Sequence, residues 1–253
     1  MSAHLEYLRS WYRLRWRRAY LNVRPASVTV LITSAGRLEC LQKTVETLRA
    51  NIDASGFERV CWMIIDDDPH DPVTRHWILK HGGFDVAILP PRNLRLGSAL
   101  NLALSEVLTE YVFHSEDDWQ YLTKLPLHEF ADLLHDRELR AEQVLAYREP
   151  IAPLDKEYFG AIQIRPGLGL IPRYSFNPHM FRLQGFLRHG PIPVFGNEEE
   201  EYSARLRSLN ADRAIVFNYG RTPMVRHIGY ESKLFPGRSW PQRSSEWVAA
   251  QYQ

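Results

Sequence analysis

The sequence predicts an α/β fold with a mostly parallel central sheet flanked by helices. Short β-branched runs alternate with longer helical stretches through the first half of the chain, and acidic residues directly follow two of these runs. Strands separated by helices form parallel sheets with right-handed crossovers, and such sheets bind ligands beyond the carboxyl ends of their strands. Both observations favour an acidic ligand site at one edge of the sheet.

The predicted elements follow one another from residue 27 to residue 114. In chain order they are a strand at 27–33, a helix at 38–51, strands at 60–65 and 84–89, a helix at 98–108 and a strand at 111–114. In the first helix Leu41, Val45 and Leu48 recur at helical spacing, which gives that helix one apolar face.

The second half of the chain has a different character. Residues 149–198 contain seven prolines, and Arg165-Pro166-Gly167 marks a turn that predicts a hairpin. The many apolar residues between the prolines argue for long ordered loops and against a flexible linker. We therefore expect a mixed, irregular lobe after a change of character near Pro150.

Length and composition limit the class of protein. With 253 residues, 45% of them hydrophobic, the chain can bury a core large enough for one domain. It has no apolar run of about 18 residues, and its N-terminus lacks the apolar centre of a signal peptide. We predict a cytoplasmic protein without a transmembrane segment. The two cysteines, Cys40 and Cys61, form no zinc or disulfide pattern and are interpreted as core residues.

Basic charge is concentrated in residues 1–26, defined here as the N-terminal arm. Residues 1–24 hold six arginines and one glutamate, a net +5, which leaves −4 for the other 229 residues of a chain with net charge +1. Aromatic and leucine residues recur in the arm at helical spacing beside a stripe of arginines. The arm is either a packed amphipathic helix or a contact for nucleic acid, an acidic partner or an anionic membrane surface. A membrane contact would make the protein peripheral.

Three acidic clusters point to metal and phosphate chemistry. They stand at residues 66–68, 116–118 and 198–201. Like charges this close raise one another's pKa values, so the clusters need solvent or a cation. Carboxylates together with substrate phosphates are typical ligands of Mg²⁺ and Mn²⁺. The sequence lacks the glycine-rich loops of common nucleotide-binding enzymes and the paired histidines of zinc proteases.

Each cluster also has a purely structural interpretation. The acids at 66–68, followed by Pro69, fit a turn with a helix cap, and those at 116–118 fit a solvated strand end. The glutamates at 198–201 fit the first turn of a helix, where the helix dipole favours negative charge.

Six segments occur in a recognisable order. They are Thr33 to Arg37, IIDDDPHD from Ile64, NLRLGSALNLAL from Asn93, HSEDDW from His114, GNEEEEYSARL from Gly196 and RHIG from Arg226. Together they resemble the landmarks of GT-A glycosyltransferases, especially the inverting enzymes similar to family 2. The resemblance spans residues 27–230 and implies a Rossmann-like sheet, with a nucleotide-sugar-binding half at 27–121, an acceptor-side half at 122–230 and a tail at 231–253.

The resemblance implies roles for individual residues. The nucleotide-binding positions are Thr33, Ser34, Arg37, Asp66, Asp67, Arg95, Asn101 and Asp117, and the positions that hold Mn²⁺ or Mg²⁺ are Glu116, Asp118 and His227. The catalytic base is Glu199, and Glu198 is the alternative if the register differs by one residue.

Two positions depart from the family pattern. Glu199 is one methylene longer than the usual aspartate base, and Leu100 stands where a basic residue often precedes Asn101. Arg95, or Arg92 nearby, would then supply the missing phosphate contact.

The implied reaction is a single displacement at the anomeric carbon of a nucleotide sugar, with UDP-sugars favoured, and it inverts the configuration. The sequence leaves the acceptor open among a glycan, a protein hydroxyl, a lipid-linked intermediate and a modified base in DNA. The alternative functions are a metal-dependent phosphoryl transferase or nuclease and a non-catalytic module that binds polyanions.

Overall fold

The computed structural model describes residues 24–150, 161–194 and 197–229. Most of the N-terminal arm and the whole tail at 231–253 lie outside these ranges, so the roles expected of the arm and the bounds of the tail stay predictions. Within the described ranges, no helix combines the length and apolar composition needed to cross a membrane.

Within the described residues, nine strands form the main sheet and four others form two separate pairs. In chain order the strands are β1 Arg24–Ser34, β2 Ile52–Asp53, β3 Arg59–Asp66, β4 Val86–Ile88, β5 Thr109–Glu116, β6 Trp119–Tyr121, β7 Leu125–Pro126, β8 Gln143–Ala146, β9 Ile162–Arg165, β10 Leu168–Pro172, β11 His179–Arg182, β12 Arg213–Phe217 and β13 Val225–His227. The main sheet has the order β4-β3-β1-β5-β11-β8-β12-β10-β9, and the small pairs are β13-β6 and β2-β7.

The main sheet divides into a parallel half and a mixed half. β4, β3, β1 and β5 run parallel to one another, which confirms the parallel arrangement predicted for residues 27–114. β11 runs antiparallel to both β5 and β8, whereas β12 is parallel to β8. β10 is antiparallel to β12 and β9, and the β9–β10 pair is the hairpin predicted at Pro166-Gly167.

Helices flank the sheet on both faces. In the described ranges they are α1 Leu38–Asn51, α2 Pro72–Lys80, α3 Arg95–Glu106, α4 Leu127–His135, α5 Leu183–His189 and α6 Glu198–Ser208. The bounds of α1 are those predicted, whereas α3 begins three residues and ends two residues before the prediction. The helices α2, α4 and α5 and the strands β8, β11 and β12 were not predicted. Each has nine residues or fewer, which leaves its apolar pattern too short to identify the element from sequence.

The side chains of β1 alternate between two apolar layers. Val30 and Ile32 point to the layer under α1 and α4, and Leu31 points to the layer under α3, α5 and α6. Cys40 is buried, as predicted. Cys61 is only partly buried, so the prediction that it is a core residue is wrong.

Thr44 ties α1 to the acidic turn between β5 and β6. Its side chain is fully buried. The hydroxyl donates to the Asp117 carbonyl at 2.8 Å and accepts from the Trp119 N–H at 3.1 Å. One hydroxyl therefore satisfies two buried backbone groups of the turn that carries the acids.

We expect Thr44→Val to lower the free energy of unfolding by about 2 kcal/mol, because it leaves the Asp117 carbonyl and the Trp119 N–H unsatisfied in a site of unchanged volume. Urea denaturation measures this loss. The exposed Thr222 provides the control: Thr222→Val should change the unfolding free energy by less than about 0.5 kcal/mol. Equal effects of the two variants would contradict this role for Thr44.

Candidate active site

The carboxyl ends of β1, β3 and β5 meet at one edge of the sheet. Their parallel registers align Ser34 with Asp66 and Thr33 with Glu116. The acidic clusters at 66–68 and 116–118 therefore lie on the two sides of β1, although 50 residues separate them in the sequence. This is the edge at which parallel α/β sheets bind ligands.

The turn between β1 and α1 joins the two clusters. The Ala35 N–H donates to Asp117 Oδ2 and the Gly36 N–H donates to Asp66 Oδ1, each at 3.2 Å. Gly36 has φ +73°, and a Cβ at this position would overlap the Asp68 carboxylate. Only glycine fits this approach without strain.

Arg37 places a positive charge among the acids at 116–118. Its Nη1 donates to Asp118 Oδ2 at 2.6 Å, and its Nη2 donates to Asp117 Oδ1. Burial lowers the pKa of Arg37, but the charges of Asp117 and Asp118 raise it further, so the net shift is upward and the guanidinium stays charged. Arg37 was predicted as a nucleotide contact, and in the structure it is the counter-ion of two carboxylates.

The carboxylates of this cluster titrate differently. Burial raises the pKa of Asp117 despite the opposing charge of Arg37. Burial also raises the pKa of Glu116 well above its usual value, and the neighbouring charge of Asp118 adds to the effect. For Asp118, the charges of Arg37 and His227 outweigh burial and lower the pKa. One guanidinium therefore compensates the cluster only in part.

The pairing of β13 with β6 brings His227 to the cluster. His227 lies opposite Trp119 in this pair, and its Nε2 is 3.4 Å from Asp118 Oδ2. The Ile228 N–H donates to the Asp118 carbonyl at 2.8 Å. A Cβ on Gly229 would lie 2.5 Å from Asp118 Oδ2, so the chain passes the carboxylate closely at a glycine.

The predicted metal ligands are only partly assembled. Asp118 and His227 are neighbours, but the described residues contain no group of three histidine, cysteine or acidic side chains arranged to hold a metal ion. Asp118 Oδ1 is nevertheless buried and has no hydrogen-bond partner within the described part of the chain. A buried carboxylate oxygen without a donor fits a cation better than it fits an apolar environment.

Asp66 is held by the residues around it. Its side chain is fully buried, and the Arg75 Nε lies 3.4 Å from Asp66 Oδ2. Arg75 also donates to the carbonyls of Asp68 at 3.0 Å and Pro90 at 2.5 Å. Burial raises the pKa of Asp66 to about 6, although the Gly36 N–H and Arg75 oppose this. The sequence did not predict Arg75, because no local pattern links it to Asp66. Asp68, at the same strand end, remains partly exposed.

Asp67 organises the start of α3. Its Oδ1 accepts the Leu94 N–H at 2.5 Å, and burial raises its pKa to about 6. Arg95, the first residue of α3, has φ +64°, a strained value for a residue with a Cβ, and its N–H donates to Asn93 Oδ1 at 3.0 Å. Burial raises the pKa of Glu198, and the nearby charge of Arg95 opposes this. Arg95 therefore stands between the β3 end and α6.

Asn101 and Arg205 fix the segment before α6. The Asn101 amide donates to the Ile192 carbonyl at 2.8 Å and accepts the Ile192 N–H at 2.9 Å. The Arg205 Nη1 donates to the Pro191 carbonyl at 2.5 Å. With its side chain 1% exposed, Asn101 is suited to support this segment and not to the direct nucleotide contact expected from the sequence.

Thr33 and Ser34 lie at the end of β1, and both are buried. The Thr33 hydroxyl is 3.1 Å from His114 Nε2, so it faces the interior of the sheet edge. Their predicted nucleotide contacts stay predictions that depend on this edge opening toward the ligand.

The two candidate bases lie on different faces of α6. Asn197 caps this helix by accepting the Glu200 N–H. Glu198 packs beside Gly97 of α3: a Cβ added to Gly97 would lie 3.1 Å from Glu198 Cγ. Glu199 accepts the Phe176 N–H at 3.3 Å and lies close enough to the acids at 116–118 for its charge to raise the pKa of Glu116. Of the two, Glu199 is the one whose charge acts on this cluster.

Several solved structures have a similar fold. GalNAc-T7 with UDP, GalNAc and Mn²⁺ is 14% identical with a TM-score of 0.59, and the match covers 84% of this chain and 45% of that one. S. aureus TarS 1-349 with UDP-GlcNAc is 14% identical with a TM-score of 0.54, covering 79% and 58%. The mannosyltransferase PcManGT from Pyrobaculum calidifontis with GDP-Man and Mn²⁺ is 15% identical with a TM-score of 0.55, covering 87% and 66%.

These similarities confirm the GT-A fold predicted from the sequence. The chain spans less than two thirds of the length of each of these proteins, and 60% of TarS 1-349 in the structure without ligand. No protein-family model and no curated protein matches the sequence.

The raised pKa of Asp67 predicts how stability depends on pH. A carboxyl group whose pKa rises from 3.8 to about 6 on folding contributes stability below pH 4, and this contribution is lost as pH rises through 6. Asp67→Asn keeps an acceptor for the Leu94 N–H but does not titrate. We expect the unfolding free energy of the wild type to fall relative to the variant by roughly 3 kcal/mol between pH 4 and pH 7. Urea denaturation at each pH gives the two unfolding free energies. If these change with pH by the same amount in the wild type and in Asp67→Asn, the raised pKa of Asp67 is contradicted.

Proposed function

We propose that the protein is a nucleotide-sugar-dependent glycosyltransferase that inverts the configuration at the anomeric carbon. The observation that carries this proposal is the meeting of two acidic clusters at the ligand edge of a GT-A sheet. The charge of Glu199 lies close enough to add to the raised pKa of Glu116. Similar folds that bind UDP, UDP-GlcNAc or GDP-Man support a nucleotide-sugar donor.

The donor would lie along the carboxyl ends of β1, β3 and β5. Asp68 is the partly exposed acid at the β3 end and is suited to a ribose or base contact, with Asp66 and Asp67 fixing the loop behind it. Arg95 is half-buried between Asp67 and Glu198, so its charge favours a phosphate at this position.

Asp118 and His227 are the residues best suited to hold Mn²⁺ or Mg²⁺. Asp118 Oδ1 is buried and has no donor among the described residues, and His227 Nε2 is beside the same carboxylate. A bound divalent cation supplies positive charge that stabilises the leaving nucleotide diphosphate. Arg37 holds the other oxygen of Asp118 and so orients the carboxylate.

Glu199 would act as the base. The acceptor oxygen attacks the anomeric carbon while the bond from that carbon to the diphosphate oxygen breaks, and the acceptor proton passes to the Glu199 carboxylate. Because one displacement occurs and no covalent sugar–enzyme intermediate forms, the configuration inverts. In the absence of an acceptor, water takes the same place and the donor is hydrolysed.

The acceptor and the role of the N-terminal arm rest on the sequence alone. A glycan, a protein, a lipid-linked intermediate and DNA remain candidate acceptors, and an anionic acceptor or surface would suit the arginines of the arm.

The donor site is tested by thermal shift with UDP-GlcNAc, UDP-GalNAc, UDP-glucose and GDP-mannose in the presence of Mn²⁺. A ligand at 100 times its Kd stabilises the folded state by about 2.7 kcal/mol, which is a clear rise in Tm. We expect one nucleotide sugar to raise the Tm, and Asp118→Asn and EDTA each to remove most of that rise. If no nucleotide sugar raises the Tm, the proposed function fails. If EDTA leaves the rise intact, the metal is not needed.

The base is tested by comparing Glu199→Gln with Glu198→Gln, which are neighbouring substitutions of the same chemistry. Glu199→Gln should lower the hydrolysis of the bound nucleotide sugar by 10² to 10⁴ and leave donor Kd within about twofold, because glutamine accepts no proton. Glu198→Gln should keep turnover within about tenfold of the wild type. The reverse pattern would assign the base to Glu198.

A further inference from the structure

The chain between β10 and β11, residues 173–178 and here called the Tyr174 loop, lies along one face of α6. Glu199 and Ser203 are four residues apart on that helix and therefore share a face. The Phe176 N–H donates to Glu199 Oε2 at 3.3 Å. The Ser203 hydroxyl accepts the Tyr174 N–H at 3.0 Å and donates to the Tyr174 carbonyl at 3.1 Å. The loop is thus attached to the helix at two successive turns.

Gln143 fixes the loop from the opposite side. Its side chain stands on β8 and is 2% exposed. Its amide nitrogen donates to the Ser175 carbonyl at 2.6 Å, and its amide oxygen accepts the Ser175 N–H at 3.0 Å. Both backbone groups of the residue before Phe176 are therefore held by one buried side chain.

His179 closes the loop at its far end. The side chain is fully buried, and burial lowers its pKa to about 3, so the ring is neutral at physiological pH. Its Nδ1 is 2.7 Å from the Asn177 carbonyl, which only accepts, so Nδ1 carries the proton. Its Nε2 is then the acceptor for the Tyr174 hydroxyl at 3.0 Å.

We propose that the Tyr174 loop positions Glu199: the Phe176 N–H holds one carboxylate oxygen, and Gln143 holds Phe176 in place through Ser175. This inference rests on the proposed function, in which Glu199 is the base. The Phe176 N–H fixes the orientation of the carboxylate that takes the acceptor proton. Gln143 touches no reacting atom and is a positioning residue. Its importance follows from geometry, because a displacement of about 1 Å in a catalytic group costs about 10²-fold in rate.

The test is Gln143→Met, which preserves side-chain length and removes both hydrogen bonds to Ser175. We expect kcat for hydrolysis of the nucleotide sugar with Mn²⁺ to fall 10- to 100-fold, while KM and donor Kd stay within about twofold. The stoichiometry of donor binding gives the folded fraction, so a loss of folded protein is separated from a loss of rate. Gln143→Glu keeps the acceptor for the Ser175 N–H and, in the protonated form that this buried position favours, also a donor to the Ser175 carbonyl, so it should recover part of the rate.

Two further variants complete the comparison. Ser203→Ala breaks the second attachment of the loop to α6 and should also lower kcat without changing donor Kd. Gln163→Met makes the same chemical change as Gln143→Met on an exposed strand and should behave as the wild type.

Crystal structures of the wild type and of Gln143→Met provide a measurement that does not depend on activity. In the variant we expect the hydrogen bond from the Phe176 N–H to Glu199 Oε2 to be broken and the carboxylate to be displaced. A carboxylate that keeps its place, together with wild-type kcat in Gln143→Met and Ser203→Ala, would overturn the positioning role. If the wild type neither binds nor hydrolyses a nucleotide sugar, the proposed function is wrong. The crystal structures then still show whether the Tyr174 loop positions the Glu199 carboxylate.

Discussion

The ion pairs of Arg37 with Asp117 and Asp118 are the interaction on which the site depends. Carboxylates buried at a strand end are costly unless a positive charge and hydrogen bonds compensate them. Arg37 reaches them because Gly36 turns the chain tightly after β1. Thr44, about two helical turns further along α1, then fixes the same acidic turn. The parallel sheet, the glycine turn and the first helix therefore serve one purpose, which is to hold negative charge out of water.

Two halves of the molecule hold the two sides of this site. The proposed donor side is built on parallel strands, whose ends are fixed by backbone donors and by Arg75. The proposed base lies on α6, which is attached to the Tyr174 loop through Ser203 and to Pro191 through Arg205. The halves meet where β5 pairs with β11, and there the buried rings of His114 and His179 lie 5.2 Å apart. Burial lowers the pKa values of both histidines and keeps their rings neutral. The contact therefore joins the two halves without adding a positive charge near the acidic clusters.

The sequence predicted the parallel half well because its strands and helices are long enough to show their periods and because acids follow two strand ends. It did not predict β8 or β11, which have four residues each and are buried between other strands. It also missed Arg75 and Gln143. Their partners are mostly backbone groups, and those of Gln143 lie 32 residues away, so no motif records such contacts. Asn101 was predicted to contact the nucleotide, but in the structure its side-chain amide binds the backbone of Ile192.

The choice between Glu198 and Glu199 shows what only the fold decides. Four consecutive glutamates are equivalent in a sequence, but one residue along a helix turns the side chain by about 100°. That rotation sends Glu198 toward Gly97 and Arg95, and Glu199 toward Phe176 and the acids of β5. Burial raises the pKa values of Glu116 and Asp117 even beside Arg37, whereas the charge of Arg37 lowers that of Asp118. A cation at this edge would favour the ionised form of these carboxyl groups, and Asp118 Oδ1 is buried there with no donor among the described residues. In the proposed reaction, Glu199 on α6 would act beside a cation held in this way.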